Sequence, residues 1–214
     1  MKFKRILAAF LSVLCLASCE EFLTEDPTTS LSEGTVYSNE ANLEAGVIGV
    51  YWSLKTSNYS WTTQMSEFCS FPSILIHWKD NRTAENYIQC LRLTMFPHSA
   101  ENQGLYDYLY ASIYKCNKMI EAMSISPVDQ TYKNEVEGEV KFIRAWQYFA
   151  AVRFWGDIPL ILNTPKNIDE TDAPRVHYME VYKQILSDIE YAEQNMRTPE
   201  RVAEVGGMTG RPNK

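Results

Sequence analysis

Cys19 is the residue whose position most clearly indicates a chemical modification. It follows Leu16, Ala17 and Ser18 at the end of an apolar N-terminal stretch, and small residues at such a junction suit cleavage by a signal peptidase. The spacing therefore predicts that the chain is cleaved before Cys19 and that the thiol of this residue receives a diacylglyceryl group.

Residues 1–18 have the organisation of a bacterial lipoprotein signal peptide. Three basic residues open the chain, and the apolar run 6–16 is too short for a helix to span the ~30 Å hydrocarbon core of a membrane. The sequence Leu-Ala-Ser-Cys then resembles a lipobox at every position. The alternatives are an ordinary secretory signal with a chance cysteine and, less favoured, a transmembrane anchor. Several acyl chains on Cys19 would give stable anchoring, because each buried methylene contributes ~0.8 kcal/mol.

The rest of the chain is acidic. The whole sequence carries a net charge of −7, and removal of residues 1–18 leaves 17 basic and 27 acidic residues, a net charge of −10. Contacts with phosphate groups need a basic surface, so this charge argues against nucleic acid as a partner. It also argues against adsorption on an anionic membrane face.

The cysteines and histidines do not form a metal-binding pattern. After Cys19 an odd number of cysteines remains, so at least one is unpaired: Cys69, Cys90 and Cys116. The spacing of Cys and His does not indicate zinc. The three histidines are isolated in the sequence and are expected to be surface or packing residues: His77, His98 and His177.

Catalysis is not predicted either. Glycoside hydrolysis needs two carboxylates held across a cleft, and among 27 acidic residues chance pairs are inevitable without a motif that selects one. The motifs of serine hydrolases, zinc proteases and phosphate-binding loops are absent from the sequence. We therefore expect no catalytic residue, no metal and no cofactor.

Four segments with the apolar periodicity of α-helices must position any functional residue. They run from about Asn39 to Lys55, Asn102 to Met123, Asp129 to Trp155 and Tyr178 to Met196. Residues 19–37 have the composition of a tether, which can reach about 60 Å at ~3.3–3.6 Å per residue. Sustained alternation with a period of two does not occur, so we expect an all-α fold in which strands are minor.

The third segment, 129–155, combines small and aromatic residues. Gly138, Ala145 and Gly156 return to nearly the same angle around a helix, which would let a neighbouring helix approach closely. Aromatic residues surround that face: Phe142, Trp146, Phe149, Phe154 and Trp155. The segment is apolar nearly all round, which predicts burial on more than one side. Gly156 and Pro159 are expected to end it.

A short connection precedes this third segment. The loop near 124–127 favours an antiparallel hairpin between the second and third helices. Hairpins with small-residue faces and aromatic knobs indicate a tetratricopeptide-like stack, although a repeat of that period is not visible.

The same segment resembles the signature of the SusD/RagB family of outer-membrane nutrient-binding lipoproteins. Gly138–Phe149 reads GEVKFIRAWQYF beside the family pattern G-E-x-x-F-L-R-A-x-x-Y-F, and Val152–Leu160 resembles the continuation V-x-x-F/Y-G-x-V/I-P-L. Further segments resemble family pieces in the same order: Cys19–Leu23, Tyr37–Tyr51, Tyr106–Asn117, Arg175–Asp188 and Gly210–Lys214, the last departing from G-R-A-T-K at Pro212 and Asn213. The resemblance covers residues 19–214 with a gap at about 57–101.

The resemblance implies a helical, tetratricopeptide-containing fold and a role as a surface lid on a TonB-dependent, SusC-like transporter. The implied ligand is an oligosaccharide or peptide nutrient, and the implied location is the cell outer membrane through the lipid anchor. In this class Glu20 and Glu21 favour export to the cell surface, although a solvated linker explains them too. Family members are considerably longer, so residues 38–214 are expected to form an N-terminal helical domain that is incomplete at its C terminus.

The resemblance also directs attention to the segment without family pattern. Residues 58–100 are rich in aromatic side chains, and a sugar-binding protein needs flat apolar faces beside polar groups that orient hydroxyls. Trp61 and Trp78 are the candidate ligand-binding residues. The alternative for each is packing against the helices. For the whole protein the alternatives are a scaffold that binds only protein partners and, less favoured, a glycoside hydrolase.

Overall fold

The structure, a computed structural model, describes residues 37–54, 100–167, 170, 172–204 and 210–214. Within these ranges the α-helices are α1 (Glu40–Ser53), α2 (Ala100–Ile125), α3 (Gln130–Trp155), α4 (Tyr178–Asn195) and α5 (Pro199–Glu204), and the strands are β1 (Ile158–Pro159) and β2 (Arg175–Val176). The predicted signal peptide and most of the predicted tether lie outside the described residues.

The first helix begins and ends close to its predicted bounds. Asn39 is its N-cap, and the side-chain oxygen of Asn39 accepts a hydrogen bond from the backbone N–H of Asn42 at 2.9 Å. Leu43, Val47 and Val50 follow at helical spacing and are buried. This stripe packs against the end of α2 and the start of α3 in one hydrophobic cluster.

Helices α2 and α3 form the predicted antiparallel hairpin. The end of α2, with Met119 and Met123, packs against Val136 near the start of α3, whereas Leu109 earlier in α2 packs near Tyr148 later in α3. The chain reverses between Ile125 and Gln130. Asp129 begins α3 as its N-cap, because its carboxylate accepts hydrogen bonds from two backbone N–H groups of the first turn.

Helix α4 runs antiparallel to α3, and Gly138 permits their close approach. A Cβ added at Gly138 would lie 3.1 Å from the backbone nitrogen of Met196 and 3.5 Å from the Cα of Ala192. Gly156 has a different role, since a Cβ there would meet nothing within 4 Å and its φ of 69° is the reason for glycine at the end of α3. The prediction that both glycines form one packing face is therefore wrong.

Strands are minor, as predicted. β1 and β2 form a two-stranded antiparallel pair in which Ile158 lies opposite Val176. Ile158 is fully buried against the cluster shared by α2, α3 and α4. The pair thus joins the residues that follow α3 to those that precede α4. Among the described helices, none combines the length and apolar character that a membrane crossing requires.

Candidate functional site

The family-like motif of α3 divides into three sets of side chains. The apolar core set is Val140, Ile143, Ala145 and Tyr148. The buried charges are Glu139 and Arg144. The third set is 36–39% exposed and consists of Phe142, Trp146 and Phe149. Helix α3 is therefore covered on more than one side, as predicted, but one aromatic face of it is open.

Arg144 joins three helices through a buried network. Its Nε and Nη2 donate to the two carboxylate oxygens of Asp188 on α4, each at 2.8 Å. Its Nη1 donates to Asn117 on α2 at 2.9 Å, and Asn117 in turn donates to the carbonyl of Ile161. Gln184 adds a further donor to Asp188. Such bidentate, fully hydrogen-bonded pairs hold elements in a defined geometry.

The charge state of this network indicates a structural role. Burial by itself lowers the pKa of Arg144, but the hydrogen bonds and the charge of Asp188 outweigh it, so the pKa lies above its ordinary value. The guanidinium therefore keeps its proton at every physiological pH. It is suited to holding α3 against α4 and not to proton transfer.

Glu139 is the centre of a second buried cluster. The Nε of Arg211 donates to Oε1 of Glu139 at 2.6 Å, and the Nη2 of Arg211 pairs with the other carboxylate oxygen. The hydroxyl of Tyr51 on α1 donates to the same carboxylate, and Arg211 also pairs with Glu44 of α1. The cluster therefore links α1, α3 and residues 210–214.

Glu139 is also the described carboxyl group whose pKa best suits a general acid. Burial raises its pKa to about 7, although the hydrogen bond from Tyr51 and the charge of Arg197 act in the opposite direction. A general acid must reach the substrate, however. Glu139 is only 5% exposed, and its oxygens are occupied by Arg211 and Tyr51. The geometry therefore assigns it to packing.

An open groove runs between α3 and α4. It has a volume of about 500 Å³ and is lined by Phe142, Ala145, Trp146, Phe149, Tyr182, Ile185, Leu186 and Ile189. The rings of Phe149 and Tyr182 meet edge to face with centroids 6.4 Å apart, and Leu186 is 64% exposed. None of these described lining residues is charged. A sugar site needs polar groups that orient hydroxyls, so the groove suits an apolar partner better than a glycan.

The residues proposed from the sequence are placed only in part. Outside the described residues lie Cys19, Trp61, Cys69, His77, Trp78, Cys90 and His98.

Cys116 is buried and unpaired, and burial raises the pKa of its thiol to about 12, which makes it inert. His177 is an exposed N-cap of α4 and accepts from the backbone of Met179. In the described part of the chain, no group of three or more His, Cys, Asp or Glu residues is placed to hold a metal.

Sequence reasoning did not single out Asp188 or Arg211 as partners of the motif residues. A signal existed for Asp188, because it lies between Ile185 and Ala192 in the buried stripe of α4. A charge at a core position must find a partner or be neutralised. Arg211 had no such signal, because its partners Glu139 and Glu44 are remote in sequence and belong to other elements.

These observations define a class of protein. It is a helical-hairpin protein in which buried charges join the described helices and an apolar face between α3 and α4 is open.

Comparison with known proteins places the chain more specifically. Residues 21–205 match the SusD-like family described as starch-binding and associating with outer membrane, and the chain belongs to this family. The SusD-like protein P38 of Formosa agariphila is 27% identical over 209 residues, which are 91% of this chain and 38% of that protein.

Solved structures confirm the fold. A SusD superfamily protein from Bacteroides vulgatus superposes with a TM-score of 0.70 at 17% identity, covering 84% of this chain and 38% of that one. A laminarin-binding SusD-like protein superposes with a TM-score of 0.65 at 21% identity, covering 75% and 35%. The predicted all-α, tetratricopeptide-like fold is confirmed, and the partial coverage fits the N-terminal portion of a SusD-like fold. The chain spans less than two-fifths of the length of these relatives.

Proposed function

We propose that this chain belongs to a surface-exposed outer-membrane lipoprotein that binds a nutrient and delivers it unchanged to a TonB-dependent, SusC-like transporter. Of the two ligand classes, we favour a glycan over a peptide. The observation that carries the proposal is the family match over residues 21–205 on a helical fold. A related structure is that of a laminarin-binding protein, which supports a glycan as the class of ligand.

The helices act as a scaffold in this proposal. The Arg144 and Glu139 clusters hold the four helices α1, α2, α3 and α4 together. In these clusters the buried carboxylates of Glu139 and Asp188 are occupied by arginine partners. The segment that carries Trp61 and Trp78 connects α1 to α2, so the scaffold holds both of its ends. Their indole faces would cover the C–H faces of sugar rings. Binding of this kind changes no covalent bond in the ligand, which is why we propose transport and not hydrolysis.

Replacement of Trp61 or Trp78 by alanine is expected to weaken glycan binding about fivefold, because stacking of one indole on a sugar ring contributes on the order of 1 kcal/mol. Isothermal titration of the full protein with laminarin oligosaccharides measures the effect. Trp146→Ala is the matched control, since Trp146 lies in the apolar groove and is 38% exposed. Unchanged titrations for both Trp61→Ala and Trp78→Ala would refute the assignment.

The same titration separates the alternatives. A scaffold that binds only protein partners, which the apolar groove favours, gives no heat with any oligosaccharide. A glycoside hydrolase converts a labelled oligosaccharide into shorter products during prolonged incubation. A nutrient-binding protein binds the oligosaccharide and returns it intact.

The lipid anchor at Cys19 has its own test. Cells that express the full chain and grow with labelled palmitate are expected to yield a labelled protein in the outer-membrane fraction, and Cys19→Ser is expected to remove the label completely. Cys15→Ser is the control, because residue 15 lies within the proposed signal peptide and its replacement leaves the acylated thiol in place. A labelled Cys19→Ser protein would place the modification elsewhere. The boundaries 1–18, 19–37 and 38–214 remain part of this proposal.

A further inference from the structure

A small cavity lies in the Glu139 cluster, apart from the groove between α3 and α4. It has a volume of about 10 Å³, and its lining residues are Glu139, Met196, Arg197, Val202, Arg211 and Pro212. A bound water molecule needs roughly 10–15 Å³ of such space, so the cavity is the size of one small ligand. Because charged side chains form part of its wall, that ligand must be able to form hydrogen bonds.

Arg197 carries a buried donor that the described residues leave unpaired. Its Nε donates to Glu135 at 3.1 Å, and its Nη1 lies 3.7 Å from a carboxylate oxygen of Glu44. Its Nη2 is buried as well, but within the described part of the chain no atom accepts a hydrogen bond from it. Arg197 is only 8% exposed, so bulk water does not reach this donor. A buried donor on a charged group is costly to leave unpaired and therefore indicates an acceptor.

The carboxylate of Glu139 has a matching place for a donor. Its Oε1 accepts from Tyr51 and from Arg211, whereas Oε2 accepts only from Arg211 among the described residues. A carboxylate offers about four lone-pair sites, so Oε2 can accept a further hydrogen bond. The charge of Arg197 acts to lower the pKa of Glu139, so the two groups are electrostatically coupled, and both line the cavity. The cavity therefore lies between an unpaired donor and an acceptor with room for one more bond.

We propose that this cavity binds one water molecule, which accepts a hydrogen bond from Nη2 of Arg197 and donates one to the carboxylate of Glu139. Buried waters commonly satisfy polar groups that the fold itself leaves unpaired. Arg197 follows the end of α4, and Glu139 pairs with Arg211. The water thus connects the end of α4 to the cluster that joins α1, α3 and residues 210–214. The inference does not depend on nutrient binding.

A halide ion is the rival occupant, because arginine side chains bind anions. The charges of the described cluster balance when Glu139 is ionised, since its members are three arginines and three glutamates: Arg197, Arg201, Arg211, Glu44, Glu135 and Glu139. The ionised carboxylate of Glu139 lines the cavity and repels an anion. A halide is also larger than a water molecule, and the cavity has room for about one water. Charge and size both favour water.

A high-resolution crystal structure of the full chain, grown with bromide in place of chloride, tests the proposal. The crystals are kept at pH 8, above the pKa of about 7 that burial gives Glu139, so that the carboxylate is charged. We expect one ordered water within about 2.7–3.2 Å of both Nη2 of Arg197 and a carboxylate oxygen of Glu139, without an anomalous signal from bromide. An anomalous peak at this position, or a cavity without density, overturns the proposal.

NMR spectroscopy of the full chain provides a second measurement in solution. Met196 lines the cavity and is 6% exposed, so its methyl protons should show cross-peaks with water whose sign is that of a long-lived bound molecule. Arg197→Met removes the donor and should abolish these cross-peaks. Arg201→Met is the matched control, because the Arg201 side chain is 43% exposed and is not among the lining residues, so the cross-peaks should remain.

The two variants also define the results that contradict the assignment. Cross-peaks that persist in Arg197→Met show that Arg197 does not hold the water, and their loss in Arg201→Met shows that they report the packing of the whole cluster. Either result overturns the proposal. Circular dichroism checks that both variants keep their helix content, and the crystal structure of the parent chain decides the question if Arg197→Met does not fold.

Discussion

Asp188→Ala is expected to lower the free energy of unfolding by about 3–5 kcal/mol. The substitution leaves the guanidinium of Arg144, which is 4% exposed, without its bidentate carboxylate partner. A buried charge without compensation costs far more than a surface charge, because the surroundings cannot replace the hydration that the charge has in water. Urea denaturation followed by circular dichroism measures the change.

Two further variants identify the cause of that destabilisation. Lys183→Ala breaks an ion pair with Glu180 on the same helix, but those side chains are 69% and 54% exposed, so a decrease below about 0.5 kcal/mol is expected. The double variant Arg144→Met/Asp188→Leu removes both charges and should recover most of the stability. If Asp188→Ala costs as little as Lys183→Ala, the pair is not buried in solution and the helix contact is wrong.

The expected size of this effect follows from the position of the pair. Arg144 contacts α4 through Asp188 and α2 through Asn117, and Asn117 also holds the carbonyl of Ile161 after β1. Removal of one carboxylate therefore disturbs three helices together. Asn117, Arg144 and Asp188, which come from three separate family-like segments, therefore act as one structural unit.

The helices were predictable because their cores are periodic. In α2, Leu105, Leu109, Ile113 and Cys116 recur at steps of three or four residues, and all four are buried. Helix α5 was not predicted, because it has only six residues and none of them is buried, so it has no periodic apolar pattern. A pattern of apolar residues cannot reveal a helix that has no core-facing side.

The roles of glycine were less predictable. Gly138 and Gly156 have nearly the same angular position on α3, yet one lies against α4 and the other ends the helix with a positive φ. Angular position on a helix does not show where a neighbouring helix crosses. The aromatic residues on the same helix were expected to border a close helix contact. Instead, Phe142, Trp146 and Phe149 line an open groove.

The charged clusters depend on contacts that a sequence pattern does not contain. Arg144 and Asp188 are 44 residues apart, and Arg211 is 167 residues from Glu44. The family-like motif contains Glu139 and Arg144, but only the fold shows their partners. The proposed ligand residues Trp61 and Trp78 remain predictions from the sequence.

Arg211→Ala is expected to destabilise the protein in a manner that depends on pH. Arg211 supplies the positive charge beside the Glu139 carboxylate, and both side chains are at most 8% exposed. Burial raises the pKa of Glu139 from 4.5 to about 7. That pKa belongs to the protein with Arg211 in place, so removal of the cation raises it further, and the variant loses stability relative to the parent as the pH rises above about 7.

The expected magnitude differs between the two sides of that pKa. At pH 5 the variant should be less stable by about 1 kcal/mol, the contribution of hydrogen bonds from Arg211, because protonation neutralises Glu139. At pH 8 the parent holds a charged carboxylate paired with Arg211, whereas the variant must bury that charge unpaired or take up a proton, so the destabilisation should reach about 2–3 kcal/mol. Denaturation of the parent and the variant at each pH gives the two differences directly.

Two controls separate titration of Glu139 from a general weakening of the packing. In Arg211→Ala/Glu139→Gln the group that titrates is gone, so the destabilisation relative to the protein carrying only Glu139→Gln should be the same at pH 5 and pH 8. Arg201→Ala removes an arginine that is 43% exposed and pairs with Glu135, so stability should fall only slightly and to the same extent at either pH. An equal effect of Arg211→Ala at both pH values would show that Glu139 is not held in a desolvated cluster.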